Sequence, residues 1–248
     1  TGLRVNSAAD DAAGHQIANR MTAEIMGLKQ AIKNAADAQA LMGTAEGAIE
    51  EIQVMLLRMR ELAVQSSNAT NSTADKASLQ LEAAQLETEI QRTANNTTWA
   101  GKVLLNGTFS GDEDSAGRTF QIGTDSGQTI ELSIPELTAT AVTIGYSAAL
   151  SIGSFTGAQS AIVTIDDGMS TLANVRANIA SKMNRLDHTI ANLENVVTNL
   201  SQSKGRIVDA DYATETANLA RTQVLQQASM AMLAQANASK QNILTLFQ

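Results

Sequence analysis

Few side chains in this 248-residue sequence are of the kind that perform chemistry. Cysteine is absent, and the two histidines, His15 and His188, lie in separate predicted helices with no nucleophile or carboxylate marked beside them. Acid–base catalysis requires such a partner within hydrogen-bond reach, so we interpret both as solvated. The acidic clusters at 112–114 and 166–167 lack the alternating oxygen spacing of a calcium loop. We therefore expect no catalytic residue, no cofactor, no metal site and no enzymatic activity.

The composition excludes several other classes of function. Hydrophobic residues make up 44% of the chain but aromatic residues only 3%, which suits narrow helix–helix seams. The net charge is −8 and no block of Lys or Arg stands out, so we expect no nucleic-acid partner. No apolar run approaches the ~18 residues of a membrane span. The chain begins Thr1-Gly2-Leu3 without an initiator Met, and we interpret it as a fragment that lacks its natural N-terminus.

The stretch from Met21 to Ala63 has the apolar spacing of a long packed helix. Two tracks at heptad-like spacing predict the a and d positions of a coiled-coil-like seam. At 1.5 Å per residue this stretch would extend over roughly 65 Å. The first track is Met21, Leu28, Ala35, Met42, Ile49, Leu56 and Ala63, and the second is Ile25, Ile32, Ala38, Ala45, Ile52 and Met59.

Capping signals mark the expected helix starts. Ser7 with Asp10 predicts a first helix over about 8–66, and Ser72 with Asp75 predicts a second over about 73–95. The short polar link between them makes the second helix antiparallel to the first. Thr164 with Asp167 predicts a third helix over 165–207, which Gly205 interrupts near its end. Its apolar tracks are Leu172, Ile179, Leu186, Leu193 and Leu200 with Met183, Ile190 and Val197.

Between the helices, residues 108–164 have a different character. Alternating apolar and polar residues at 120–122 and 129–134 flank Asp125-Ser126-Gly127, which is typical of a β-hairpin. Further short strands are expected at 141–145 and 161–165. The predicted division is therefore a rod part over 1–107, a small β-rich insert over 108–164, a long rod helix over 165–207 and a terminal arm over 208–248.

The last predicted helix runs from about Ala213 to the C-terminus and has only a thin apolar stripe. Gln and Asn cover most of its surface, so it buries too little to hold itself in place and must find partners elsewhere. The stripe consists of Leu225, Ala228, Met232, Ala236, Ile243 and Leu246. The fold class expected from these patterns is mostly α: an elongated bundle of long coiled-coil-like helices with a small inserted β-hairpin region and an extra C-terminal helix.

Several segments resemble one family, bacterial flagellin. The matching stretches are GLRVNSAADDAAG (2–14), AEGAIEEI (45–52), RMRELAVQSSN (58–68) and the whole of 209–248, beginning DADYATETANLARTQ. The resemblance covers about 1–107 and 165–248. One departure is Trp99-Ala100, where the family usually has Phe-Asn. The resemblance implies a structural subunit of the helical flagellar filament that self-assembles through its terminal and rod helices for motility.

The family also implies partners and site residues. It implies a secreted, extracellular homopolymer whose C-terminal helix is bound by a flagellin export chaperone before assembly. The segment from Arg58 to Val64 resembles the patch bound by the vertebrate flagellin-sensing Toll-like receptor, which implies roles for Arg58, Leu62 and Glu82. Arg58 and Leu62 are four residues apart and share a helix face, which we expect to be exposed. The same residues could instead serve contacts between subunits.

Two alternative functions remain open at this stage. In the first, residues 108–164 of a flagellin-like cell-surface protein bind a polysaccharide, using aromatic side chains such as Phe109, Phe120, Tyr146 and Phe155 with Trp99 nearby. In the second, the chain is a hook–filament junction protein, which shares the terminal helices. The close match over 209–248 favours the filament subunit.

Overall fold

The computed structural model describes the backbone of residues 2–110, 118–142 and 150–246. Within them are three long helices, a C-terminal helix, two small antiparallel hairpins and two short helical turns. The order is α1 (Ala12–Ser66), α2 (Thr73–Asn96), β1 (Thr98–Trp99), β2 (Lys102–Val103), a 3₁₀ turn (Thr108–Ser110), β3 (Arg118–Gln121), β4 (Thr129–Leu132), α3 (Ala139–Val142), α4 (Phe155–Val208) and α5 (Tyr212–Leu246). The predicted fold class, mostly α with long helices and a small β region, is confirmed.

Helix α1 contains the whole predicted seam. From Leu28 onward every residue of the first track is buried, and Met21 is half-buried. The helix begins at Ala12 rather than near residue 8, because Asp11 is the residue that caps it: its carboxylate accepts the Gly14 N–H at 3.0 Å. The predicted Ser7–Asp10 pair does form, with the Ser7 N–H donating to Asp10 at 2.8 Å. It closes a turn before the helix, so its assignment as the helix cap is wrong.

The chain divides into two compact units, and the larger one, Glu24–Val197, has its own core. In this unit α1 is antiparallel to α4, as successive cross-helix pairs run in opposite directions along the two helices. Gln39 donates to Asp187 at 2.7 Å, and Arg60 to Asp166 at 2.6 Å. The apolar seam between these pairs is fully buried in α1 from Ala35 to Ala63.

Helix α2 begins at the predicted capping box. Ser72 Oγ accepts the Asp75 N–H at 3.2 Å while the Asp75 carboxylate accepts the Ser72 N–H at 2.9 Å. Because two orphan amides are satisfied reciprocally, the helix start is well defined. Its inner side buries Ala83, Ile90 and Ala94.

Helix α4 begins at Phe155, inside the stretch predicted to be β-rich, so the predicted start at 165 is wrong. Thr164 is in the helix interior, where its hydroxyl donates to the Ser160 carbonyl at 3.0 Å instead of capping. The apolar spacing continues N-terminally through Ala158, Ala161 and Ile165, all buried. The strand expected at 161–165 is therefore helix. Gly205 does not end the helix, which continues to Val208.

The hairpin predicted around residue 126 is confirmed. β3 pairs with β4 in antiparallel register, with Phe120 opposite Ile130, and Gly127 takes the positive φ of 86° that the turn requires. The strand expected at 141–145 begins in α3, which ends at Val142, and residues 143–145 lie outside the described residues.

A second, smaller hairpin was not predicted from the sequence. Its two-residue turn, Ala100-Gly101, has φ of 49° and 79°, the positive values that a tight hairpin turn requires. Asn-Gly is the usual signal for such a turn. With Ala at the first position, that signal is missing.

The smaller unit comprises Thr1–Ala23 and Thr198–Gln248. Its N-terminal segment pairs with the end of α4: the Arg4 N–H donates to the Val208 carbonyl at 2.6 Å, and the Ala210 N–H donates to the Gly2 carbonyl at 3.0 Å. The Arg4 guanidinium donates to the Ile207 carbonyl at 2.7 Å. Carbonyls that end a helix lack internal partners, so this segment closes the C-terminus of α4.

Candidate interaction surfaces

The outer side of α1 carries an ionic cluster that joins it to α2. Arg58 Nε donates to Glu82 Oε1 at 2.9 Å, and its NH1 donates to Glu61 at 3.0 Å. The hydrogen bond with Glu82, and then that with Glu61, raises the pKa of Arg58 above its ordinary value. About half of the Arg58 side chain remains exposed, 49%. The structure therefore brings together the predicted site residues Arg58 and Glu82 and keeps both accessible.

Leu62, the third residue of the predicted patch, is not on this surface. It is 0% exposed and belongs to the hydrophobic core, so its expected position on the same exposed face as Arg58 is wrong. The buried side of α1 at this level includes Met59, Leu62, Ala63 and Ser66. That side is wider than an a/d seam because α2 and the 150–152 segment also pack here. Ser66 donates to the Ile152 carbonyl in this packing.

Three apolar side chains of α1 do remain on the surface near Arg58: Val54, Leu57 and Val64, each about half exposed. Leu57 and Val64 are seven residues apart and line an open groove of about 550 Å³ together with Arg60, Glu61 and Gln65. Arg60 closes one side, because its guanidinium makes a two-point contact with Asp166 of α4, at 2.6 and 3.2 Å. This hydrogen bonding lowers the pKa of Asp166. The groove therefore combines exposed apolar side chains with charged and polar ones.

Helix α5 differs from every other long helix in its burial. All of its side chains that the structure describes, from Tyr212 to Asn237, are exposed. Leu225 and Met232, from the predicted stripe, are 60% and 71% exposed. Ile243 and Leu246 lie beyond the described side chains. The large apolar residues left exposed on α5 are Tyr212, Leu219, Val224, Leu225, Met230, Met232 and Leu233.

The start of α5 is nevertheless well capped. Asp211 accepts the Ala213 N–H at 3.0 Å and the Thr214 hydroxyl at 2.8 Å. The hydrogen bonds from Thr214 and from the Ala213 N–H lower the pKa of Asp211. The helix thus has a defined first residue without any tertiary partner for its apolar side chains among the described residues.

In the described part of the chain, the residues considered as metal ligands do not form a binding site. There, no group of three His, Asp or Glu side chains is arranged to hold a metal ion. Asp166 is engaged by Arg60, and residues 112–114 are outside the described ranges. None of the helices that could be searched combines the length and apolarity needed to cross a bilayer.

The aromatic side chains considered for polysaccharide binding do not form a platform where they are described. Phe109 is buried, and both Phe120 and Trp99 pack against the core. Phe155 is exposed at the start of α4, and Tyr146 lies outside the described residues. Sugar stacking needs accessible rings, so nothing here favours this alternative.

Comparison with known proteins was made for the whole sequence. The profile of the bacterial flagellin N-terminal helical region matches residues 1–110, and that of the C-terminal helical region matches 162–247. The chain belongs to the bacterial flagellin family. Flagellins are structural proteins, and this flagellin is a structural subunit of the bacterial flagellar filament.

Individual relatives match along the full chain. A flagellin of Halalkalibacterium halodurans is 43% identical over 248 residues, covering 100% of this chain and 89% of that protein. A Bacillus subtilis flagellin is 38% identical over 275 residues, with 100% and 90% coverage.

Solved structures support the same fold. The crystal structure of Bacillus cereus flagellin has a TM-score of 0.55 at 31% identity and covers 65% of this chain and 88% of its own. A putative flagellar hook-associated protein of Vibrio parahaemolyticus has a TM-score of 0.67 at 16% identity, covering 81% and 100%. At that identity the second match shows a shared fold only. The hook–filament junction alternative is therefore not favoured.

Proposed function

We propose that this flagellin polymerises mainly through α5, whose apolar side chains become buried between neighbouring copies of the same chain. The observation that supports this is the exposure of every described side chain from Tyr212 to Asn237, including seven large apolar ones. A helix with so little internal burial gains its stability from packing with partners. The family supplies the partner, because a filament is built from identical subunits.

Seeded polymerisation of the full-length protein tests this proposal. Filament fragments should extend when subunits are added, and removal of 213–248 should abolish extension. Thermal unfolding of the Glu24–Val197 unit should be unchanged by the removal, since that unit has its own core. Extension that survives the removal would overturn the proposal.

We further propose that α5 is bound by a flagellin export chaperone before assembly, and that the subunit is then secreted to the extracellular filament. The same exposed apolar side chains support this step, because on unassembled subunits they promote aggregation unless a partner covers them. Isothermal titration of the full-length subunit with the chaperone of its own organism should show stoichiometric binding. Leu225→Asp should weaken that binding at least tenfold. Equal binding by both proteins would contradict a chaperone site on α5.

The ionic cluster of α1 and α2 supports a second role. We propose that Arg58 and Glu82 contribute to recognition of monomers by the vertebrate flagellin-sensing Toll-like receptor. Both side chains are roughly half exposed and already fixed against each other at 2.8 Å, so little entropy is lost when a partner contacts them. The groove lined by Leu57 and Val64 lies beside them on α1.

A receptor reporter assay with purified monomers separates this role from a purely structural one. Arg58→Ala and Glu82→Ala should each raise the concentration needed for half-maximal signalling by about tenfold or more, the equivalent of ~1.4 kcal/mol. Arg92→Ala is the matched control, because Arg92 forms a comparable exposed ion pair with Glu89 at 2.5 Å within α2. Signalling that falls equally in all three variants would contradict a specific role for Arg58 and Glu82.

A further inference from the structure

Methionine is the only sulfur-containing residue type in this flagellin, since the sequence has nine methionines and no cysteine. The environments of these thioethers differ sharply. Met42 and Met59 are 0% exposed in the core of the Glu24–Val197 unit. Met26, Met230 and Met232 are 63%, 67% and 71% exposed. Three methionines are therefore the most accessible to solvent-borne oxidants and the two in the core the least, while Met21, Met55, Met169 and Met183 are half-buried.

Two of the three exposed thioethers belong to α5. Met232 follows Leu225 by seven residues, so the two lie on one side of the helix. Met230 lies eleven residues after Leu219 and three before Leu233, so these three share another side. At about 100° per residue, Met230 and Met232 are about 200° apart around the helix. Each of the two exposed apolar stripes of α5 thus contains one methionine.

We propose that Met230 and Met232 are oxidation sites that gate filament assembly, an inference that rests on the proposed role of α5. The oxidant is a hydroperoxide or hypochlorous acid. With hydrogen peroxide, a sulfur lone pair attacks one oxygen, the O–O bond breaks, and the hydroxide that leaves takes the proton of the oxygen now bound to sulfur and becomes water. With hypochlorous acid the O–Cl bond breaks instead, and chloride and that proton leave. The thioether is oxidised to a sulfoxide and the peroxide is reduced.

The sulfoxide blocks packing because its oxygen is a strong hydrogen-bond acceptor on a formerly apolar side chain. The large apolar side chains of its own stripe, Leu225 for Met232 and Leu219 and Leu233 for Met230, have no hydrogen-bond donor. Donors one turn away, such as Gln227 for Met230 and Gln235 for Met232, would have to leave water to reach it. Burial of a strongly polar group in such surroundings disfavours the packed state. Assembly requires such burial, whereas the monomer keeps the same group in water. Oxidation therefore disfavours the assembled state and leaves the folded monomer intact.

Because assembly buries both thioethers, the oxidant acts on a subunit before its incorporation into the filament and not afterwards. Free subunits expose both thioethers, whereas subunits packed in the filament cover them. The same oxidant then stops addition of new subunits without dissolving filaments already made. A methionine sulfoxide reductase acting on free subunits restores competence.

Peptide mapping of monomers after limited peroxide treatment is the first test. Oxygen addition is expected first at Met26, Met230 and Met232, with Met42 and Met59 at least tenfold slower. In filaments treated in the same way, Met230 and Met232 should be at least tenfold slower than in monomers. Equal oxidation of Met42 and Met232 in monomers, or of Met232 in monomers and filaments, would overturn the proposal.

Seeded polymerisation of treated full-length subunits is the second test. Treatment should raise the critical concentration at least tenfold and leave the thermal unfolding midpoint unchanged. The double variant M230L/M232L should polymerise and be insensitive to treatment, because leucine keeps the apolar volume without the sulfur. The matched control Met26→Leu should stay as sensitive as the parent.

The outcomes separate the gate from the role of α5. A parent that polymerises normally after oxidation of Met230 and Met232 overturns the gate alone. The same holds if M230L/M232L loses assembly on treatment as the parent does. If untreated protein extends seeds equally well whether or not residues 213–248 are present, the assembly role of α5 is overturned. The proposed oxidation gate is then overturned as well. In that case the peptide mapping of monomers still measures which methionines are oxidised.

Discussion

Helices α4 and α5 are both long, yet they differ completely in burial. In α4 the residues at seven-residue spacing from Leu172 to Leu193 are buried. In α5 the large apolar residues, such as Leu219 and Leu233, are about 60% exposed. The difference shows that α4 has its packing partners within the chain, whereas the apolar side chains of α5 have none among the described residues.

The composition of the two helices explains the difference. Along α4 the buried positions are occupied mostly by Leu, Ile and Val, and the antiparallel α1 presents Ile, Leu and Met against them. Along α5, Ala, Gln and Asn separate the larger side chains. A thin stripe of this kind gains too little stability from packing on a single neighbour within the chain.

The largest expected effect is on assembly. Leu225→Asp should prevent seeded polymerisation, because burying an unpaired carboxylate in the apolar stripe is strongly unfavourable. Thermal unfolding of the Glu24–Val197 unit should not change. Ala231→Asp is the matched control, since it adds the same charge to the same helix at about 100° from both Met230 and Met232. If the two variants polymerise equally, the comparison between α4 and α5 does not reflect assembly.

The next largest effect tests the core of the Glu24–Val197 unit, whose packing partners lie within the chain. Leu62→Ala should lower the free energy of unfolding by about 2–5 kcal/mol, because it leaves a cavity in a fully buried site. Leu57→Ala, five residues earlier on the exposed side, should change it by less than about 0.5 kcal/mol. Urea denaturation measures both. Similar values for the two variants would contradict the burial of Leu62.

A smaller gain is expected in the hairpin formed by β1 and β2. Ala100 has a φ of 49°, a left-handed conformation that costs most side chains about 1–2 kcal/mol and that Asn tolerates better. Ala100→Asn should therefore raise the free energy of unfolding by about 1 kcal/mol, with no effect on α5. Thr98→Asn, outside the turn, should give no gain. A loss of stability in Ala100→Asn would contradict the turn conformation.

The smallest effect concerns acid pH at the start of α5. The pKa of Asp211 is lowered in the folded chain, so its cap stabilises the helix above the ordinary Asp pKa and is lost as pH falls through the lowered value. The protection of the first-turn amides of α5, measured as their exchange rate relative to the unstructured rate at the same pH, should fall below about pH 4. In Asp211→Asn, which remains a good cap, this fall in protection should be smaller. Identical pH profiles would contradict the role of Asp211.

Much of the helical architecture could be predicted from local patterns. The apolar tracks of α1 and α4 and the capping box at Ser72 are properties of neighbouring residues, and they are present as expected. The start of α4 was placed too late because Thr164 and Asp167 match a capping signature that a helix interior also accommodates. Thr hydroxyls can bond to the carbonyl four residues back, and Thr164 does so. The β1–β2 hairpin was missed because its turn begins with Ala.

The candidate surfaces were predictable only in part, and Leu62 shows why. The sequence by itself determined the long helices, the family and the weak stripe of α5, because periodicity and motifs are local. Only the tertiary structure decided that Leu62 is buried while Leu57 and Arg58 are exposed. That outcome depends on α2 and the 150–152 segment packing beside α1 and widening its buried side, and helical spacing alone cannot show how many neighbours a helix has.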